Sequence, residues 1–302
     1  MRFTRVLALG ASALVLLSAC STGGGSKPTV KVGSDGFYEA KLMAEIYAQA
    51  LEAGGYTVDR TGIGIGARKV SAPALESGQI DLKPEYIGSG LAFYEPGKQT
   101  GDPAANATAL QAVLTTKGGG ITVLTYSPAA DQNAFVVRKD TATQLNLAKL
   151  SDTTAVQDQL KWGLATDCKT NAVCAAALKS AYGLDPKNIT PLAACDTPMA
   201  QALVNKTIDV AELCSTQPDI AVNGFVVLTD DKQTQPADNL APLVRNDLLA
   251  KVDKTSFEKI LNDVSAKMDT ATLTDLGKQI TVDKKDIAVV AKAWLQTAGL
   301  IK

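Results

Sequence analysis

The sequence predicts an α/β protein of two halves followed by a helical tail. Strand-like and helix-like segments alternate along most of the chain, and many close at Gly or Pro. Over residues 256–300 the pattern turns mostly helical, with a gap near Thr281-Val282-Asp283. At 302 residues and 46% hydrophobic composition, the chain can fill one large core or two medium ones. Two such halves with a returning tail fit a clamshell whose tail packs back on the first half.

The N-terminus reads as an export signal. Arg2 and Arg5 supply positive charge, residues 6–17 are an apolar run, and Leu17-Ser18-Ala19-Cys20 ends it. The run is shorter than the ~20 residues of a membrane-spanning helix. The closing Cys makes residues 1–20 resemble a lipoprotein signal, which implies cleavage before Cys20 and lipid on its thiol. An ordinary signal with an incidental Cys is the alternative. Residues 21–29 follow as a flexible tether. The mature protein is thus expected outside the cytoplasm, held on the outer face of the cell membrane.

Residues 29–33 alternate and end at Gly33, the pattern of a strand. Residues 37–53 place Met43, Ile46, Tyr47, Ala50 and Leu51 at helical spacing, and Gly54-Gly55 stops them. A second strand starts at 56–58, a short helix spans 71–77, and a short strand at 80–82 is closed by Pro84. A helix at 105–116 ends in three glycines, and strands follow at 121–124 and 134–137. In the second half, 163–165 and 208–213 read as strands, 173–182 and 200–204 as helices, and 225–228 as a buried strand. The polar run 230–239 contains Pro236 and reads as a connection. The glycine-rich stretch 62–69 lacks the ending of a phosphate loop and the spacing of a dinucleotide fingerprint. It reads as a loop at a cleft edge or near a hinge.

Beyond Cys20 four cysteines remain: Cys168, Cys174, Cys195 and Cys214. An even number in an exported chain points to disulfides. Of three connectivities, Cys168–Cys174 with Cys195–Cys214 is favoured, since each closes a local loop. A four-thiolate metal site is the rival, but paired knuckles of zinc spacing are missing. Free buried thiols are the third option.

With 30 cationic and 31 acidic residues the net charge is −1, which gives no footprint for nucleic acid. The chain has no histidine, so His-based acid–base catalysis, a Ser-His-Asp triad and His metal ligands are excluded. With no supported carboxylate pair either, a binder is expected rather than an enzyme, without cofactor or metal.

Several stretches resemble the osmoprotectant-binding family of ABC importers, the glycine betaine, choline and carnitine binders. They are Val32-Gly33-Ser34-Asp35-Gly36-Phe37, Ala67-Arg68, residues 73–82, and above all Pro84-Glu85-Tyr86-Ile87-Gly88-Ser89-Gly90-Leu91-Ala92. Asp209-Val210-Ala211, Ser215-Thr216, Val226-Val227-Leu228, residues 230–232 and residues 241–245 continue the series. The resemblance implies a two-lobed periplasmic-binding-protein fold of type II, each lobe a mixed β-sheet flanked by helices. Lobe 1 would hold residues 30–132 together with 237–302, and lobe 2 residues 133–236. It also implies a monomer that closes on a small solute and delivers it to a membrane permease. A binder of a different polar or polyhydroxy solute, or a sensory lipoprotein without a permease, is the alternative.

In that family aromatic rings cage a quaternary ammonium group, which ring faces attract. Tyr86 matches one cage tyrosine. Asn133, Ala200 and Cys214 fall where the others are expected, so the cage is depleted. Tyr38, Tyr94, Tyr126 and Phe37 are the spare rings, with Phe37 assigned to the core. The candidate ligand contacts are Ser34, Asp35, Arg68, Tyr86, Asp131, Asn133, Ser215, Thr216 and Gln217. Their chemistry is mostly hydrogen bonding, which suits a polar solute better than a bare trimethylammonium. Alternatives stay open: Ser34 or Asp35 as a helix cap, Arg68 in a structural ion pair, and Asp131 as a turn cap.

Overall fold

The computed structural model describes residues 27–302. The signal sequence, Cys20 and most of the tether lie outside the described residues. The strands are β1 (Thr29–Asp35), β2 (Thr57–Gly66), β3 (Leu82–Tyr86), β4 (Ile121–Val123), β5 (Asn133–Val137), β6 (Trp162–Ala165), β7 (Ile189–Leu192), β8 (Val210–Cys214), β9 (Val226–Val227) and β10 (Leu240–Arg245). They form two five-stranded sheets, ordered β2-β1-β3-β10-β4 and β7-β6-β8-β5-β9. In each sheet four strands run in the same direction and one, β10 or β5, runs antiparallel between the central strand and an edge strand. Both sheets are therefore mixed, and the same strand plan appears twice.

The first sheet carries helices α1 (Tyr38–Ala53), α2 (Arg68–Ser77), α3 (Ile87–Tyr94) and α4 (Pro103–Leu114). The second carries shorter elements: α5 (Lys139–Leu145), α6 (Ala175–Ala177), α7 (Thr197–Val204) and α8 (Asp219–Val222). The tail forms α9 (Asn246–Leu249), α10 (Lys254–Lys267), α11 (Thr270–Thr281) and α12 (Ile287–Thr297). It does return to the first lobe. Leu42, Ile46, Tyr47 and Leu51 of α1 share one core with Phe257 and Leu261 of α10, Leu273 of α11, and Val290 and Leu295 of α12. Trp162 centres a separate core in the second lobe with Phe135, Leu150 and Val210. No described helix is long and apolar enough to cross a membrane.

The chain passes between sheets twice, after β4 and again before β10. The two crossovers lie side by side: Ala130 pairs antiparallel with Asn239, and Asp131 N donates to Asp238 O at 3.1 Å. Two adjacent extended segments are what a hinge needs, since few backbone torsions must change for the lobes to rotate.

Some elements differ from the sequence expectation. Residues 62–66 are not a loop but the end of β2. Their glycines serve packing, because a Cβ on Gly33 or Gly62 would meet Ile80 at 2.5 or 2.4 Å. Pro84 does not close the strand but lies inside β3, opposite Pro242 of β10. β1 meets β3 only at Val32–Leu82, and β4 pairs with β10 only from Leu243 on. The missing N–H of Pro84 thus falls beyond the β1 ladder, and that of Pro242 at the last rung toward β4, where its carbonyl still accepts from Leu124 N at 2.9 Å. The helix expected at 173–182 breaks into three α-helical residues and a wider turn at Leu178–Tyr182. The strand at 225–228 shrinks to β9, an edge strand with Val227 exposed.

Candidate functional site

A cavity of about 370 Å³ lies between the lobes. Its first-lobe wall is Asp35, Gly36 and Phe37 after β1, Gly66, Ala67 and Arg68 after β2, and Tyr86 with Ser89 at the end of β3. Its second-lobe wall is Ala165, Thr166, Asp167, Asn171 and Val173 from the end of β6 onward, Ala193 to Asp196 after β7, and Glu212 with Cys214 on β8. Asp131, Gln132, Asn133 and Asp238 enter from the crossovers. The cavity thus sits at the carboxyl ends of the parallel strands of both sheets, where open α/β sheets hold ligands.

Of the expected contacts, Asp35, Arg68, Tyr86, Asp131 and Asn133 line this cavity, while Ser34, Ser215, Thr216 and Gln217 do not. Ser34 is buried and accepts from Gly64 N at 2.9 Å, so it ties β1 to β2. Neither Ser34 nor Asp35 caps α1, whose N-cap is Phe37 without a side-chain bond. Ser215 Oγ and Thr216 N both donate to Asp131 Oδ1, at 2.8 and 2.9 Å. They set the position of the carboxylate rather than face the cavity. Gln217 Nε2 donates to Asp219 at 3.0 Å, behind the wall.

Arg68 forms an ion pair inside the first lobe. Its guanidinium donates to Glu85 Oε1 at 2.9 Å, and Lys83 Nζ donates to Glu85 Oε2 at 3.0 Å and to Asp35 Oδ1 at 2.9 Å. Burial alone would raise the Glu85 carboxyl, but Arg68 and Lys83 outweigh it and hold it below its usual range. Asp238 takes two bonds from Ser89, and burial still pushes its carboxyl up to about 7.

Among the described residues only two rings line the cavity, Phe37 and Tyr86, with centroids 6.0 Å apart. Phe37 also packs against the first-lobe core, so the core assignment told half its role. Tyr38 is buried behind the wall, and its hydroxyl has no partner among the described residues. Tyr94 donates to Glu76 at 2.8 Å and packs with Tyr126 in a satellite core away from the cavity. Ala200 is core.

Cys168 pairs with Cys174, and Cys195 with Cys214. The first bond closes the loop after β6, and the second ties the loop after β7 to β8. Both cavity-lining loops of the second lobe are therefore covalently held, with sulfur at the position expected for a ring.

Sequence reasoning missed four groups. Glu39, at the start of α1, accepts from Tyr86 Oη and from Thr216 Oγ1 at 2.7 Å, linking the lobes. Burial, then Asp131, raises its carboxyl. Glu212 is buried on the cavity wall, and burial followed by Asp167 pushes its carboxyl up to about 7. An acid within the apolar run Val210-Ala211-Glu212-Leu213 was the available signal. Asp167 and Asp238 sit in polar connections and gave none.

The family described as the substrate-binding domain of ABC-type glycine betaine transport systems matches residues 28–297. The chain belongs to this family. The glycine betaine-binding protein YehZ of Escherichia coli (strain K12) is 30% identical across 98% of this chain and 99% of its own length. The carnitine transport binding protein OpuCC of Listeria monocytogenes is 26% identical across 93% of this chain and 92% of its own. Among solved structures, a glycine betaine/carnitine/choline ABC transporter protein superposes with a TM-score of 0.69 at 23% identity, covering 90% of this chain and all of that one. The two-lobed fold expected from the resemblance is the fold of this family.

Proposed function

We propose that this protein captures a small polar solute of the osmoprotectant type between its lobes and hands it to a membrane permease. The observation that carries this reading is the cavity itself. It is walled by strand ends from both sheets and sits over two adjacent crossovers. Contacts from both walls form together only when the lobes are closed, so bound solute shifts the open–closed balance. A permease can then distinguish loaded from empty protein. Residues 30–132 with 237–302 act as one jaw and residues 133–236 as the other. Family membership supports transport rather than turnover. Asp35, Arg68, Tyr86, Asp131 and Asn133 remain the proposed contacts, with Asp35 and Arg68 acting from within their ion network. The protein acts as a monomer, tethered through lipid on Cys20.

The test is a thermal-shift screen with glycine betaine, choline, carnitine, ergothioneine, sugars and polyols, followed by calorimetry. A solute selective for the closed form raises the melting temperature by mass action. Small-angle scattering should report compaction with the same solute. A panel with no shift and no compaction would sink the reading. Loss of membrane attachment in Cys20→Ala would test the anchor.

A further inference from the structure

We infer that Glu212 is the specificity-determining contact of the cleft, and that it selects a solute whose cationic nitrogen still carries hydrogen, an amine or guanidinium rather than a fully methylated ammonium. This rests on the solute-capture reading above and narrows it.

Three observations lead here. Glu212 is 1% exposed yet lines the cavity. Its Oε2 accepts from Ala165 N at 2.8 Å, whereas no hydrogen bond among the described residues reaches Oε1. Second, the charge on the cavity walls is one-sided. Asp167 and Asp196 join Glu212 on the second-lobe wall, where no Lys or Arg among the described residues is present. The one cation among the described residues lining the cavity, Arg68, is already held by Glu85 at 2.9 Å. Third, the two rings stand on the first-lobe wall only, so they cover one side of a solute and leave its other side to the carboxylates.

Glu212 Oε1 opens onto the cleft, and once lobe closure shuts water out, a donor that is itself charged satisfies it best. A trimethylammonium group brings charge but no N–H, so it would leave Glu212 Oε1 unbonded. A neutral polyol brings O–H groups but does not offset the excess of carboxylates. A protonated amine does both, with its carbon skeleton against Phe37 and Tyr86. Asp167 acts directly on Glu212, and Asp196, Asp131, Asp35, Asp238 and Arg68 are the other charged groups lining the same cleft. Burial, and after it Asp167, favours a proton on Glu212 before solute binds, in line with its carboxyl lying near 7. A cation that pairs with Glu212 therefore displaces a proton near neutral pH.

Calorimetry with matched pairs tests this: choline against N,N-dimethylethanolamine, and glycine betaine against N,N-dimethylglycine. With wild-type protein at pH 8, the dimethyl member of each pair should bind at least about tenfold tighter than its trimethyl partner, roughly the value of one charged hydrogen bond. In Glu212→Gln the gap should close to within about twofold. A tighter trimethyl member, or a gap that survives in Glu212→Gln, overturns the proposal. A second readout needs no variant: at pH 7, binding heats in buffers of differing ionisation enthalpy should show proton release with the dimethyl ligands. Zero release overturns it. If only polyols or sugars bind, capture stands and the role of Glu212 falls. If nothing in the wider panel binds, the capture reading itself fails.

Discussion

Each lobe buries a glutamate on the central strand of its sheet, Glu85 on β3 and Glu212 on β8, and the two have opposite surroundings. Glu85 meets Arg68 and Lys83 and stays ionised as part of a closed network. Glu212 meets a backbone N–H, a neighbouring acid and open space. The first is structure, and the second is the proposed solute contact. The same residue type on equivalent strands thus serves different ends, and the difference lies in whether a cation of the protein already occupies the partner's place. The lobes also hold their cavity loops differently. The first lobe packs α1 and the tail helices into a large core, while the second staples its loops with two disulfides.

Breaking the ion network should have the largest effect. Lys83 is fully buried, with Asp35, Ser71 and Glu85 all within 3.0 Å of its Nζ. Lys83→Met leaves two buried carboxylates with one cation, Arg68, between them. Removing one partner of a buried pair costs about 3–5 kcal/mol. Chemical denaturation should show that loss, and a change below about 1 kcal/mol would mean the network relaxes onto Arg68 alone.

The disulfides rank next and act on the other lobe. Cys195–Cys214 closes a separation of 19 residues and Cys168–Cys174 one of 6. Chain-entropy arguments give about 3 and about 2 kcal/mol. Cys195→Ser with Cys214→Ser should lower stability by the larger amount and speed amide exchange in residues 162–214, leaving α1 and α10 protected. Equal loosening of both lobes would show that they unfold as one unit.

How much of this was legible depended on what carries each feature. The alternation of elements, both disulfide pairs and the gap in the tail follow from local patterns, which a sequence displays directly. The first lobe also holds the Pro84-Glu85-Tyr86 block, where Tyr86 lines the cavity and Glu85 beside it holds Arg68. The second-lobe wall is different. Asp167, Asp196 and Glu212 come from three separate strand ends, and only the folded sheet brings them together. Arg68 illustrates the same limit: its spacing allowed a ligand contact or an ion pair, and only Glu85's position at 2.9 Å decides that it is paired. The short elements of the second lobe were hardest to place, because a three-residue helix stabilised by a nearby disulfide has no periodicity to read.

Acidity should separate the two glutamates by sign. Burial keeps Glu212 and Asp238 near 7, above an unfolded value near 4, so the folded state holds more protons between those limits. Stability from these groups falls as pH rises through that window. Glu85 lies below its ordinary value of 4.5, so its contribution is present above 4.5 and lost as pH falls below it. The empty protein should therefore melt highest near pH 5, with a fall of a few degrees on either side. In Glu212→Gln the decline toward pH 8 should shrink while the acid side is unchanged. A decline identical to wild type would assign the alkaline limb to other groups.

The smallest effect should come from Tyr86→Phe, which separates ring from hydroxyl. The hydroxyl donates to Glu39, whose other oxygen accepts from Thr216 of the second lobe at 2.7 Å. Burial and Asp131 already favour a protonated Glu39, so losing one donor leaves a neutral acid rather than a bare charge. The cost should be about 1 kcal/mol of stability. The ring stays beside Phe37, so affinity for the best solute of the panel should change less than about threefold, whereas Tyr86→Leu, which removes the ring face, should weaken it roughly tenfold. If Tyr86→Phe weakens binding as much as Tyr86→Leu, the hydroxyl's link through Glu39 to Thr216 governs closure of the lobes, and the ring is secondary.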